Sequence, residues 1–524
     1  MAPTVTIAAG AIAATYLFFR FLLHLTQGAR EPPAIATGLP FLSPLIGMIK
    51  EKASFHVRLR NQYGLPIYTL RLPFSRIYIV NSTELIPLLQ KQWRTVSFAA
   101  IAADAGSVVG MSKEAVRVMH QDLTSEHSFS VSWPRFITPV MGPGEDLDAI
   151  NRRSVEVFAD EMQTLKAQGI VRLGLSQWSR QTIVTATTES VWGPQNPYRD
   201  PVIAKAWKTF EAGFLTFSIF PLASLLFPKL LRARELVAAA MIEYINKGGH
   251  KSASGLVRMR YEHHREQFGF SHEDIARGEL GNTFAVLGNT TPCAFWVLYH
   301  IFSDNKVLSD VRREVLALVH EESKEEGMVC SVDLAGIRTR CPILLSTFQE
   351  TMRFRAVNPG PRVLLEDVNL DNRYLLKKGA MLMIPAPVQH TDVMAWGDNA
   401  GEFDYMRFAR KQTPGRKRPN RVAFRAFGGG HILCPGRHFA STEIMAFAAL
   451  LVLQFDVVPA RGTWVEPTWG NSPAQAGFPV PDEDIEVELR PRDLNKKWTV
   501  SFSGSAEAME IVSEDSPSGD VTAR

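Results

Sequence analysis

Residues 427–440 read FGGGHILCPGRHFA, with Cys434 set between a run of glycines and the start of an apolar helical pattern. Three chemistries compete for a cysteine placed there. A buried structural thiol is the commonest fate of a free cysteine. His431, Cys434 and His438 also form H-x2-C-x3-H, three ligand types that suit zinc. The third possibility is an axial thiolate on the iron of a haem. The setting favours the thiolate. Pro435 and Gly436 precede RHFASTEIMAFAALLVLQF, so the sulfur lies just before a helix N-terminus, whose free N–H groups stabilise negative charge. Gly428, Gly429, Gly430 and Gly436 remove side chains on both sides, as a flat cofactor lying against backbone requires, and Phe427 can pack beside the sulfur. Zinc needs neither feature and lacks a fourth ligand nearby.

Two further stretches carry chemistry. FQETMRFR holds Glu350 and Arg353 at i,i+3; such pairs are common on solvated helix faces. Here Leu344, Leu345, Phe348 and Met352 make the helix apolar, so the pair is expected to be buried, and buried charges must be paired and hydrogen-bonded. In LGNTTPCAFW, Pro292 cannot donate to the Gly288 carbonyl and its ring crowds that carbonyl. The helix is expected to open beside Gly288, Asn289 and Thr290, forming a notch; an ordinary kink between packed helices is the plainer alternative.

Taken together, these motifs resemble the cytochromes P-450. Phe427, Gly430, Cys434 and Gly436 match that family's F-x-x-G-x-[RH]-x-C-x-G loop, with Ile432 where many members carry Arg or His and His431 as a neighbouring substitute. Arg407 in FDYMRF completes, with Glu350 and Arg353, the family's Glu-Arg-Arg network, Tyr405 replacing the usual proline. Most members have [AG]-G-x-[DE]-T on the long helix; here Asn289 replaces the acid and Thr290 remains. Asn-Thr-x-Pro, F-x-Y-x-R and C-P-G-R resemble the cholesterol 7-alpha-hydroxylase and prostacyclin synthase branch, in a filamentous-fungal style. The resemblance implies haem b with Cys434 as the axial iron ligand. It implies catalytic roles in proton handling for Thr290 and for Asn289 with a water. Arg362 is placed to meet a haem propionate; its plainer role is a surface arginine pairing Glu366.

The positioning elements read as mainly α with a minor β part, the P-450 fold, in one large catalytic domain. Ser271 to Phe302 opens with a capping box between Ser271 and Asp274, and Val307 to His320 and Cys341 to Arg355 are further helices. Short pieces between Arg362 and Pro387 read as a small sheet, and DIEVELRPR as a late strand. Residues 1–27 read as a transmembrane anchor, since Ala2 to Phe19 carries no charge and the basic residues follow it; 28–50 form a proline- and glycine-rich neck. The catalytic domain spans 51–503, and 504–524 is a polar, disordered tail. Phe214 to Leu230 is either buried core or a loop that dips into lipid.

A net charge of +4 over 524 residues excludes the footprint of a nucleic-acid binder. Four cysteines without CxxC pairing exclude a disulfide scaffold and fit a cytosol-facing compartment. The expected function is a haem-thiolate monooxygenase, single-pass in the endoplasmic reticulum membrane, acting with O2 on a lipophilic sterol, terpenoid or fungal secondary metabolite. Phe98, Phe214 to Phe220 and GNSPAQAGFPVP are expected to line its pocket. No flavin or dinucleotide motif is present, so electrons must arrive from outside; the resemblance implies an NADPH-dependent reductase, with cytochrome b5 as a second donor. Arg410, Lys411, Arg416, Lys417, Arg418 and Arg421 offer a basic docking loop. An oxygen-independent isomerase and a membrane-anchored zinc-binding interaction protein are the alternatives.

Overall fold

A helix that is apolar on every face must be enclosed by others, and Thr290–Phe302 is buried at every residue in the computed structural model. The structure describes residues 2–35, 38–220, 222–324, 327–409, 420–473, 475–504, 509–512 and 515. Thr290–Phe302 packs against Leu175–Trp192, Pro342–Arg355 and Arg437–Gln454, the helix that follows the cysteine. Arg437–Gln454 is itself buried almost throughout and also packs on Glu145–Gln168 and Asn305–Leu316. These helices share the largest apolar core.

The small sheet stands beside this bundle, its strands ordered Ile67–Leu72, Ser75–Val80, Met381–Met383, Pro361–Leu364 and Val96–Ser97. Neighbours are antiparallel except Ser75–Val80 with Met381–Met383. The register sets Arg362 opposite Leu382, at the sheet's centre. The late strand, Glu486–Pro491, lies between Phe455–Pro459 and Val171–Gly174.

The capping box forms: Ser271 Oγ accepts the Asp274 N–H at 3.0 Å and donates to Asp274 Oδ2 at 2.7 Å. The helix it opens ends at Leu287, and a second begins at Thr290, so the chain breaks at Gly288 and Asn289. The helix read over 307–320 stops earlier, at Leu316; Val319–Lys324 leaves as a strand paired with Gly327–Asp333. Propensity had no means of showing that pairing, because the apolar residues there suit either state.

The transmembrane reading of 1–27 is not supported. Ala2–Thr26 is one helix, yet among the described residues no helix is long and apolar enough to cross a membrane. Arg20 and His24 interrupt it, and a charge within a span costs about 2.5–3.5 kcal/mol. The stretch 214–230 divides: Phe214 and Phe217 pack against a second apolar core, whereas Phe220, Leu222, Leu225, Leu226 and Phe227 are exposed. Part of the polar tail is packed, since Met509 and Ile511 join the main core.

Candidate active site

Gly428 and Gly430 have φ of 79° and 63°, left-handed values that favour glycine. They let the loop turn back so that the Cys434 N–H donates to the Phe427 carbonyl at 3.0 Å. A side chain at Gly429 would strike the Arg425 guanidinium, at 2.6 Å from its Cβ. The folded loop brings Cys434 to the wall of a cavity of about 390 Å³. Burial pushes the Cys434 thiol up, while the Gly436 N–H and Arg437 pull the other way. A metal ion bound to a thiol held in this way would remove its proton.

Phe427, Gly436, Asn289, Thr290, Arg362 and His431 line the same cavity, so the sequence-selected loop, notch and strand converge. Gly430 stands at its edge against Gln90. Thr290 is buried and its Oγ1 donates to the Val286 carbonyl at 2.8 Å, leaving its lone pairs as acceptors. Asn289 Oδ1 accepts the Gly477 N–H at 3.1 Å, which leaves its NH2 group as the donor. Arg362 is buried beside Arg425, and burial first, then that second cation, push its pKa down to about 9. Its Nη1 donates to the Pro361 carbonyl at 2.6 Å, and among the described residues no carboxylate is paired with it. A buried guanidinium without an anion is costly, and the cavity it faces fits an anionic group. His431 stacks on Trp93 with centroids 4.5 Å apart. Burial and Arg135 push its pKa down, so it offers a neutral ring donor and not the cation missing at Ile432.

Behind the loop, Glu350 and Arg353 are fully buried and joined by two hydrogen bonds of 2.8 Å. Arg407 Nε reaches both Glu350 oxygens at 3.1 Å. Arg353 also donates to the carbonyls of His390, Ala400 and Glu402. His390 Nε2 in turn accepts the Arg425 N–H at 2.8 Å, which ties this network to the cysteine loop. Tyr405 donates to Asp310 at 2.7 Å and fastens the Arg407 segment to Asn305–Leu316.

Trp93, Gln90, Arg425 and His390 had no local signal, because they join the site only through long-range packing. Of the expected apolar lining, Phe98 and Phe478 reach the cavity. Phe214 instead stacks on Phe284 at 4.5 Å. The zinc arrangement does not form. His431 lies on Trp93, His438 pairs with Asp515, and among the described residues no His, Cys, Asp or Glu cluster is placed to hold a metal ion. Arg410, Lys411 and Arg416 to Arg418 lie outside the described residues, as does the Arg421 side chain.

A helical bundle with a minor sheet, closing over a cysteine-walled cavity with a glycine cradle and an uncompensated buried arginine, defines a scaffold for a flat anionic cofactor. The chain belongs to the cytochrome P450 family, whose profile matches residues 33–488. It is 32% identical over 497 residues to the cytochrome P450 monooxygenase nodJ of Hypoxylon pulicicidum, covering 92% of this chain and 95% of that one. Cytochrome P450 7B1 of Mus musculus is 24% identical, covering 83% and 86% of the two chains. Among solved structures, retinoic acid-bound cyanobacterial CYP120A1 superposes with a TM-score of 0.68 at 20% identity, over 89% of this chain and all of that one.

Proposed function

We propose that the protein is a haem-thiolate monooxygenase that oxidises a lipophilic small molecule in fungal secondary, sterol or terpenoid metabolism. The observation that carries this reading is Cys434 and Thr290 in one cavity with the uncompensated Arg362. A haem bound there supplies the iron that activates dioxygen for insertion into an unactivated bond. Cys434 would hold its iron as a thiolate, the electron-rich ligand type that suits oxygen activation. Arg362 would meet a propionate, Phe427 would shield the sulfur, and Gly430 and Gly436 would let the backbone approach the cofactor. Thr290 Oγ1 accepts a hydrogen bond from a water and so holds a proton source at the notch, with the Asn289 NH2 group beside it. Apolar residues such as Phe98, Val286, Ile384 and Phe478 exclude bulk water and select an apolar substrate.

Electrons come from a separate NADPH-dependent reductase. The exposed Leu222, Leu225, Leu226 and Phe227 support contact with a lipid surface, which for this enzyme class is the endoplasmic reticulum membrane. The deciding measurement is the carbon monoxide difference spectrum of the reduced protein beside Cys434→Ser. A strongly red-shifted Soret band that the variant loses is expected. Folded protein with no haem signal sinks the reading.

A further inference from the structure

The last described residue reaches back to the cysteine loop. Met509 and Ile511 are 3% and 2% exposed, anchored in the main core. Gln349 Nε2 donates to the carbonyls of Glu510 and Ile511 at 3.1 and 3.0 Å. Asp515 Oδ2 accepts the N–H groups of Ile511 and Val512, both at 3.1 Å, closing a turn. Its Oδ1 accepts from Arg437 Nε at 2.9 Å and Nη2 at 2.6 Å, and His438 Nε2 stands 3.3 Å away. Arg437 Nη1 then donates to the carbonyl of Cys434 itself, at 3.2 Å. The Asp515 side chain is 2% exposed and the Arg437 side chain only 16%, so solvent screens the pair little.

We propose that Asp515 is a positioning residue for the cysteine loop. Through Arg437 it fixes the Cys434 carbonyl, and it offsets a cation that would otherwise stand unbalanced beside the sulfur. This rests on Cys434 being the haem ligand. A charge-assisted clamp at low exposure is stronger than a neutral hydrogen bond, and a net positive charge near the iron favours its reduced form. Asp515 therefore keeps the reduction potential low and slows haem loss.

Asp515→Asn is nearly isosteric and keeps an acceptor for Ile511 and Val512, so the folded chain survives to be measured. In the haem-loaded, full-length protein the variant should show a more positive reduction potential. Haem transfer to apomyoglobin should run roughly threefold to tenfold faster. Asp515→Glu should recover both in large part. Removing both charges, with Arg437→Gln added to Asp515→Asn, should bring the potential back toward wild type while haem loss stays fast. An unchanged potential with only a lower melting temperature overturns the inference, because it leaves Asp515 as ordinary core closure. A wild-type protein without the red-shifted carbon monoxide band instead overturns the ligand reading and the inference with it.

Discussion

Thr290 carries one hydroxyl that serves two directions. Its proton is given to the Val286 carbonyl, so toward the cavity it acts as an acceptor that can hold a water. Removing it takes away the held proton source without opening the fold, because the methyl-sized remainder still fills the helix. Thr290→Ala should keep its haem spectrum, while product formed per NADPH falls about tenfold and hydrogen peroxide rises in its place. Unchanged coupling, measured as NADPH, product and peroxide together, would remove Thr290 from the proposed proton path. This residue was visible in the sequence because Pro292 marks the break beside it. The tie of Asn289 was not, since its partner Gly477 lies 188 residues away and no local pattern encodes that distance.

Helix by helix, the readings that held were those driven by backbone chemistry. Ser271 capped its helix, and the proline ended one helix and sat in the first turn of the next, where a missing N–H costs little. Glu443 shows what periodicity leaves out. It lies on the cysteine helix within an unbroken apolar stripe, and is 1% exposed. Among the described residues its carboxyl is hydrogen-bonded by hydroxyls, Thr187 Oγ1 at 2.9 and 3.0 Å and Ser154 Oγ at 3.2 Å. Burial pushes its pKa up to about 8 from 4.5, so the folded chain keeps a proton that the unfolded chain releases. The contribution is full below about pH 4.5 and is lost as pH rises to about 8, at up to about 1.4 kcal/mol per unit. His56 and His390, pushed down to about 4 and about 3, act in the other sense, as do His263, His264 and His300, and their unfolded forms still release protons around pH 6.5. The histidine contributions are common to wild type and Glu443→Gln, so between pH 6.5 and 8 the denaturation midpoint of wild type should fall relative to that of the variant. A parallel decline in both proteins would mean that Glu443 is ionised in the fold.

Across the whole molecule, the Glu350 cluster joins elements that are far apart in sequence. Glu350 binds Arg353 one turn away, Arg407 57 residues on, and the Asp404 N–H at 2.9 Å. Arg353 and Arg407 spend their remaining donors on carbonyls and Asn399, so the segment from His390 to Arg407 is wrapped around two cations. The pair was legible from spacing on an apolar helix. The wrapped carbonyls were not, because backbone acceptors carry no sequence signature. Glu350→Gln keeps shape and hydrogen-bonding atoms but leaves two guanidinium groups facing each other in the core. Stranding buried charge costs about 3–5 kcal/mol, a large part of the roughly 5–15 kcal/mol that holds a domain together. The variant should reach folded, haem-loaded form in much lower yield, with a lower urea midpoint in what remains. Because His390 links this cluster to Arg425 and the cysteine loop, haem content should fall further than the folded fraction does. Equal losses of the two would show that the cluster stabilises the bundle alone and does not reach the loop.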